Sequence, residues 1–388
     1  MNMRTHTSVS ERRKSLEDSL SVALPHIGSS TLDTTIASTK NCENMIGFTQ
    51  IPVGVAGPLT LRGTADVSDS PRSYYVPLST TEGALVASVN RGCKAITKSG
   101  GATTSAFRIG TSRGLVFRVS GVREGETLAS YIYEHESDLD RVAKTTSSHI
   151  ALSDITVKSV GKQVFVRLVF HTQDAMGMNM VTIASDAIAS HLNSQTGVQC
   201  LSVAGNYDID KKPAWINFVR GRGFESRAEV LLTGEVIADV LKTTAPKLYD
   251  VWLSKCMIGS AMAGSMGFNA QYANIIAAVF LATGQDIAHV VEGSLGITTC
   301  EIVDGGLYMS VYLPDLLVGT VGGGTTLATQ KEALAIVGVA GSTKPLTSQE
   351  FAEVVGGAVL AGEVSLLASL SEGSLSRAHA QLGRGARS

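Results

Sequence analysis

CMIGSAMAGSMGFNAQYANIIAAVFLATGQD, residues 256–286, is the stretch whose reading decides the fold. From Cys256 to Gln285 no side chain is charged, a length that on its own reads as a membrane span. Its content argues otherwise. Asn269, Gln271 and Asn274 sit mid-run as amides that need partners, and Gly259, Gly264, Gly267 and Gly284 interrupt it. Only Ala273 to Thr283 is continuous apolar helix, too short to cross a bilayer, and it stops at a Gly before a polar Gln-Asp pair. The stretch therefore predicts a helix buried on all sides at the centre of a large domain. Ala261, Ala263, Gly264 and Ser265 would let neighbouring backbones approach closely, and the amides would face a binding site, since buried amides must be bonded. Asp286 falls just past the helix end, a costly place for an unpartnered carboxylate and hence a candidate for chemistry.

Working outward, 388 residues suffice for a sizeable core and about two domains. A charged fraction of 17%, a hydrophobic fraction of 44% and 40 glycines suit a large α/β or α+β enzyme and exclude a disordered or fibrous chain. A net charge of −2 leaves no electrostatic footprint for nucleic acid. Cys42, Cys93, Cys200, Cys256 and Cys300 are scattered, with no CxxC. That pattern predicts reduced thiols in a cytoplasm, not a disulfide framework or zinc site. The first twenty residues lack the apolar core of a secretion signal. No HExxH, nucleophile elbow, GxGxxG or phosphate-binding P-loop occurs, so a catalytic metal, serine acyl transfer and a Rossmann reading are all unsupported.

Residues 1–40 read as a peripheral helical segment. Gly54, Gly57 and Pro58 mark a tight loop, equally a structural turn or a ligand contact. A strand at 73–78 leads into STTEGALVASVNRGCKAI (79–96), a helix with small packing faces. Ser79 and Glu82 have capping-box spacing, so Glu82 is either a capping carboxylate or a proton donor. A helix N-terminus favours the anion, whereas a donor needs its acid form. Strands at 115–119 and 164–170, a charged helical middle and a helix at 180–195 suggest a small α+β unit inserted into a larger one. Within it, DAMGMNM (174–180) is a Gly turn opening a helix, which can seat a phosphate on backbone N–H groups. Asp208, Asp210, Lys211 and Lys212 surround Pro213 in what is either a solvated loop or, with Lys211 inward, a site. Strands at 300–303 and 306–313 precede the glycine loop 319–327. A C-terminal helix over 361–385 carries Leu366, Leu367 and Leu370 as core contacts, and His379 lies in its tail.

ENMIGFTQIPVGVAGPL, TTEGALVASVNRG, DAMGMNM, GNYDIDKKPAWINFVRGRG, GSAMAGSMGFNAQYANI, FLATGQD and GTVGGGT, in that order over residues 40–380, closely resemble the 3-hydroxy-3-methylglutaryl-CoA (HMG-CoA) reductase family. The DKKPAWIN block is similar to the biosynthetic class I group. The resemblance implies an α+β fold with a large domain around a buried helix and an inserted small ferredoxin-like cofactor domain. The expected divisions are 1–40, 41–114, 115–201 and 202–388. It implies NADPH-dependent four-electron reduction of HMG-CoA to mevalonate and CoA, with no metal. Alternatives are an NADH-linked member that oxidises mevalonate and a non-catalytic CoA-binding relative.

By the same resemblance, Lys211 stabilises the oxyanion, Glu82 supplies a proton, Asp286 links the two, and His379 protonates the CoA thiolate. Arg113, Asn206, Asp210, Lys212, Lys255 and Asn274 match substrate contacts, Leu366 and Leu370 the apolar shelf, and Asn90 and Arg91 the CoA contacts. Asp174, Met176, Gly177, Met178, Asn179, Gly322, Gly323 and Gly324 match the cofactor loops. Ser148 and His149 fall where the family meets the NADPH 2′-phosphate, with His149 in place of the usual arginine and only partly charged at neutral pH. Ala204 stands where a serine is usual, and Met266–Phe268 is one glycine short. The phosphorylatable serine after the tail histidine is missing, which predicts that this switch is absent, and the eukaryotic membrane anchor is missing, which predicts a soluble, cytoplasmic microbial-type form. Family members are dimers or dimers of dimers with shared active sites, so a homodimer or homotetramer is expected.

Overall fold

A computed structural model describes residues 8–20, 29–65, 70–341 and 346–373. Nine strands carry the fold: β1 (Val53–Gly63), β2 (Arg72–Ser79), β3 (Ala102–Arg118), β4 (Ala151–Val160), β5 (Gln163–His171), β6 (Gln199–Ser202), β7 (Arg222–Leu232), β8 (Ile297–Val303) and β9 (Gly306–Leu316). One sheet runs β2-β1-β3-β7-β9-β8, antiparallel except where β1 meets β3. A second runs β4-β5-β3-β6 and is antiparallel throughout.

β3 belongs to both sheets. Its first half pairs with β7 as far as Gly110, and from Thr111 it pairs with β5. Gly110 sits at the changeover with φ 108°, and a Cβ there would lie 2.8 Å from the Phe170 carbonyl oxygen. Only a glycine accommodates both the conformation and the approach. Each side of this pivot has its own buried cluster. One spans β1, β2, β7, β9 and helices Leu85–Lys98, Tyr272–Thr283 and Thr347–Ser371. The other spans Leu115, Phe117, β5 and helices Val122–Glu134, Glu136–Lys144 and Met178–Thr196.

The central helix is not the expected one. Tyr272–Thr283 is buried on most sides, as its composition predicts. The longer spine is Thr347–Ser371, in which every residue from Glu350 to Ser365 is buried. By length and composition this helix also passes as a membrane span. Its buried carboxylates decide against that reading. Glu353 accepts from Thr64 N–H and hydroxyl and from Ala65 N–H at 2.6–3.1 Å, while Glu363 accepts from Ala270 N–H, Gln271 N–H and the Thr298 hydroxyl at 2.6–2.8 Å. Glu363 thereby satisfies donors at the start of the amide helix.

Three further expectations are corrected. Residues 256–286 are not one helix: a π-helical turn Leu253–Gly259 and a short helix Ser260–Ala263 precede a loop, and Ala261, Ala263 and Gly264 are exposed instead of packed. The Ser79–Glu82 capping box does not form, because Ser79 ends β2 and the helix starts at Leu85. The C-terminal helix begins at Thr347, not 361, and His379 lies outside the described residues.

Close approach does occur, between helix Leu85–Lys98 and the spine. A Cβ at Gly92 would lie 1.9 Å from the Ala361 carbonyl oxygen. Both contacting groups belong to long helices that cannot shift locally. Gly92→Ala is expected to cost stability at the upper end of about 1–3 kcal/mol, read as a fall in Tm with no new charge to explain it.

Candidate active site

The loop between β6 and β7 holds Lys211 in a backbone conformation it would not choose. Asn206, Ile209 and Lys211 have φ of 61°, 41° and 59°. Left-handed non-glycine residues cost about 1–3 kcal/mol each and persist only where surroundings over-determine them. Here the surroundings are specific. The Lys211 N–H donates to Glu292 Oε1 at 2.8 Å, and Asn217 Nδ2 donates to the Ile209 carbonyl at 2.7 Å. Gly205 N–H donates to the Gly114 carbonyl on β3 at 2.6 Å. The Asp210 carboxylate meets Arg222 at 3.0 Å and Arg113 at 3.6 Å. The solvated-loop reading is therefore wrong for Asp208 and Asp210. Lys212 is exposed and bonds only the Asp210 carbonyl, at 3.1 Å.

The Lys211 ammonium lies 2.6 Å from Asp286 Oδ2, each side chain a little over a third exposed. Asp286 caps the short turn Ile287–His289 by accepting from the Ala288 N–H at 3.1 Å, which answers how a carboxylate survives past a dry helix. Burial favours its acid form, but the Lys211 hydrogen bond, the Ala288 N–H and the His289 and Lys211 charges together hold Asp286 below the usual carboxylate value. A carboxylate depressed in this way contributes stability above its unfolded value, near 4, and loses it as pH falls through the folded value. Asp286→Asn is thus expected to lose Tm less steeply than wild type on acidification from about pH 5 to 3, measured by parallel thermal scans.

Behind this pair stands a buried network. The fully buried Arg222 guanidinium meets Asp210 and Glu292 at 3.0 Å each and donates to Ser112 Oγ at 2.9 Å. Burial favours neutral Arg222, yet Glu292, Asp315, Asp210 and Asp208 outweigh it and raise its pKa. His289 Nδ1 lies 2.5 Å from Glu292 Oε2. Sequence reasoning missed Arg222, His289 and Glu292 as site residues. A signal was present: Asp286, His289 and Glu292 fall three apart, the spacing of one face of a helical turn. Asp210, His289 and Glu292 bring ligand atoms within 4.8 Å of one another. The donor set does not fit a metal, because Arg222 already bonds two of the three and a divalent ion would face its buried charge.

The glycine loops converge on the same place. Thr320 N–H donates to the Asp174 carbonyl at 2.9 Å, and Ala175 pairs with Val321. Asp174 Oδ1 accepts from Ser348 N–H and Oγ at 2.9 and 2.8 Å, at the N-terminal turn of the spine. Gln285, beside Asp286, bonds Gly319 through both its amide groups at 2.9 and 3.0 Å. Gly177 caps helix Met178–Thr196, and the Met178 sulfur lies 3.0 Å from Arg222 Nη2. Met176 accepts from the Thr111 hydroxyl through its carbonyl at 2.7 Å, while Asn179 is exposed. Gly322 and Gly323 face open space, whereas Gly324 packs against Gly284. Exposed Ser148 and His149 border this region, with His149 Nδ1 2.9 Å from Gln173 Oε1.

The remaining candidates sit apart. Glu82 is exposed on the turn after β2, its N–H bonded to the Thr80 hydroxyl, and within the chain it makes no hydrogen bond or ion pair with Lys211 or Asp286. Asn274 bonds Gln271 weakly at 3.4 Å, and Lys255 is exposed on the π-helical turn. Leu366 and Leu370 are half-buried one helical turn apart, while Leu367 is core. Arg91 is engaged structurally, with Ser365, Ser369 and Glu372 on the spine. Asn90 accepts from the Gly57 N–H at 3.0 Å and lines a cleft of about 200 Å³ with Gly57, Pro58, Lys94, Thr97 and Lys98. Lys94 and Lys98 are further cations the sequence reading passed over.

A strained, carboxylate-bonded lysine beside two glycine loops has the features of an enzyme site, where perturbed charged groups cluster. The hydroxymethylglutaryl-coenzyme A reductase family model matches residues 8–384, and the chain belongs to that family of oxidoreductases. It is 49% identical to 3-hydroxy-3-methylglutaryl-coenzyme A reductase of Methanothermobacter thermautotrophicus, over 96% of this chain and 93% of that one. It is 47% identical to the enzyme of the same name from Methanocaldococcus jannaschii, over 96% and 92%. In fold it resembles the class II enzyme of Streptococcus pneumoniae solved with NADPH, at TM-score 0.69 and 18% identity, over 94% and 97% of the two chains.

Proposed function

We propose that this chain reduces (S)-HMG-CoA to (R)-mevalonate and free CoA at the expense of two NADPH. The observation that carries the reading is the 2.6 Å contact of Lys211 with Asp286, in a strained loop of a chain whose family match runs almost end to end. Asp174–Asn179 and the loop Gly322–Gly324 would hold the nicotinamide cofactor, with Ser148 and His149 at its 2′-phosphate, and the cofactor would supply the hydrides. Lys211 presents its ammonium to the oxygen that gains charge in each reduction, and Asp286 fixes where that ammonium points. Glu82 supplies the carbonyl proton from the neighbouring subunit's side of a shared site. That assignment is supported by its exposure and by its lack of any bond to Lys211 or Asp286 in its own chain. Arg113, Asn206, Lys212, Lys255 and Asn274 contact the hydroxymethylglutaryl group over the Leu366–Leu370 shelf. Lys94 and Lys98 join Asn90 in taking the phosphates of CoA.

His379 protonates the departing thiolate. His379→Gln is expected to slow thioester reduction at least about 10-fold while sparing reduction of free mevaldehyde; equal loss on both substrates would refute the role.

The inserted unit, 115–201, reads as a ferredoxin-like cofactor domain. Its strands β3, β4, β5 and β6 lie in the order β6-β3-β5-β4 with helices in both crossovers. Class I membership rests on DKKPAWINFVRGRG, residues 210–223. Assembly into a homo-oligomer is supported by Trp215 and Val219, 57% and 77% exposed next to the lysine loop. A cytoplasmic site of action is supported by five unpaired cysteines.

The test is to follow NADPH absorbance with HMG-CoA present and to titrate the thiol released. Two NADPH consumed per CoA released is the expected ratio. Preference for NADH would shift the reading to mevalonate oxidation, favoured by a histidine at 149. HMG-CoA binding without turnover would leave a non-catalytic relative.

A further inference from the structure

Two buried side chains connect the catalytic pair from behind. Glu292 and His289 are both fully buried, on the turn that Asp286 opens. Glu292 spends one oxygen on the Lys211 backbone, accepting its N–H at 2.8 Å, and the same oxygen meets Arg222 at 3.0 Å. Its other oxygen lies 2.5 Å from His289 Nδ1. The far ring nitrogen, Nε2, is buried with no hydrogen-bond partner and points between two carboxylates, 3.8 Å from Asp286 Oδ2 and 3.9 Å from Asp210 Oδ1. Asp286 Oδ2 is the oxygen that bonds the Lys211 ammonium. A single chain of contacts thus runs from the lysine backbone through Glu292 and His289 to Asp286 and back to the lysine side chain.

We infer that Glu292 and His289 are positioning residues for the reduction: Glu292 sets the left-handed backbone that aims Lys211, and His289 sets the carboxylate oxygen that receives its ammonium. Core packing alone does not account for the arrangement. Any buried carboxylate needs its lone pairs satisfied, but packing does not require that one donor be the strained Lys211 N–H and another neighbour the imidazole that faces Asp286. The two groups act through Lys211 and Asp286 and touch no substrate. Side-chain orientation of this kind is what holds a reacting group within a fraction of an ångström of its productive place.

The inference rests on the proposed reduction, so wild-type protein is assayed first: no HMG-CoA-dependent NADPH oxidation would sink that reading, independently of this one. Given turnover, His289→Gln and Glu292→Gln are expected to lower kcat about 10- to 100-fold with KM for HMG-CoA and NADPH nearly unchanged. Because Glu292→Gln also withdraws a countercharge from Arg222, its Tm is measured alongside; if the variant does not fold, His289→Gln, which leaves that pair intact, decides alone. The discriminating comparison is a double-mutant cycle. If His289 works through Asp286, Asp286→Asn with His289→Gln turns over no more slowly than Asp286→Asn alone. Additive losses, or kcat within about twofold of wild type in His289→Gln, would overturn the assignment.

Discussion

Lys211→Ala is expected to abolish both hydride steps, with kcat lower by at least about 10²–10³-fold, while HMG-CoA still binds. The reason is the placement of charge. In the proposed mechanism the ammonium meets the carbonyl oxygen as it becomes an oxyanion, and Lys212 does not replace it, being turned to the Asp210 carbonyl. Binding is expected to survive because the proposed substrate contacts Arg113, on β3, and Lys212, the next residue along, keep their side chains. Stability should barely move. The Lys211–Asp286 pair is more than a third exposed on each side, and such pairs contribute about 0–1 kcal/mol. Calorimetric titration with HMG-CoA and single-turnover oxidation of NADPH separate the two effects. Retention of more than about a tenth of wild-type kcat would remove Lys211 from the chemistry, and loss of binding in step with loss of turnover would recast it as a substrate anchor.

Arg222→Met should show the opposite balance, with stability failing first. Its guanidinium has no exposed surface and bonds Asp210 and Glu292. Its charge is also the largest one offsetting Asp315, whose carboxyl is pushed well up by burial and by Glu292, and whose oxygens have no hydrogen-bond partner among the described residues. Breaking a buried ion pair by removing one side costs about 3–5 kcal/mol, because the other side stays buried and unpaired. Set against a total of about 5–15 kcal/mol for a folded protein, that is a large fall in Tm. The deficit should shrink as pH falls. Carboxylates stranded in a dry site have raised folded values, so their protonated forms are tolerated at low pH and the penalty grows as pH rises through those values. A Tm difference that is flat in pH would mean that Arg222 serves packing and not charge.

The sequence carries the chemistry more plainly than the architecture. Asp286 stands out in the sequence because it follows thirty uncharged residues, and it is bonded to Lys211. The glycines at 177 and 322–324 were suspect as backbone-approach loops, and they flank the site. Strands at 115–119 and 164–170 stand where their alternation puts them. Over 115–201 the texture changes because strands and helices have different apolar periods, and residues of that stretch form a buried cluster of their own. Glu82 shows the limit: spacing leaves it either a capping carboxylate or a proton donor, and helix Leu85–Lys98 starts three residues later, so the cap does not form.

By itself, then, the sequence determined the family and the reaction type, because motif residues are chosen by chemistry that short spacings preserve. Tertiary structure alone decided which helix is the spine. Two apolar helices compete for that place, and the winner, Thr347–Ser371, is the one whose buried glutamates find donors on distant loops. It also decided that Arg222, His289 and Glu292 stand behind Lys211. Arg222 is 11 positions from Lys211 and Glu292 is 81 away. No local period relates residues so far apart; they meet because β9 pairs with β7, which carries Arg222, and packs against the helical turn that carries Glu292.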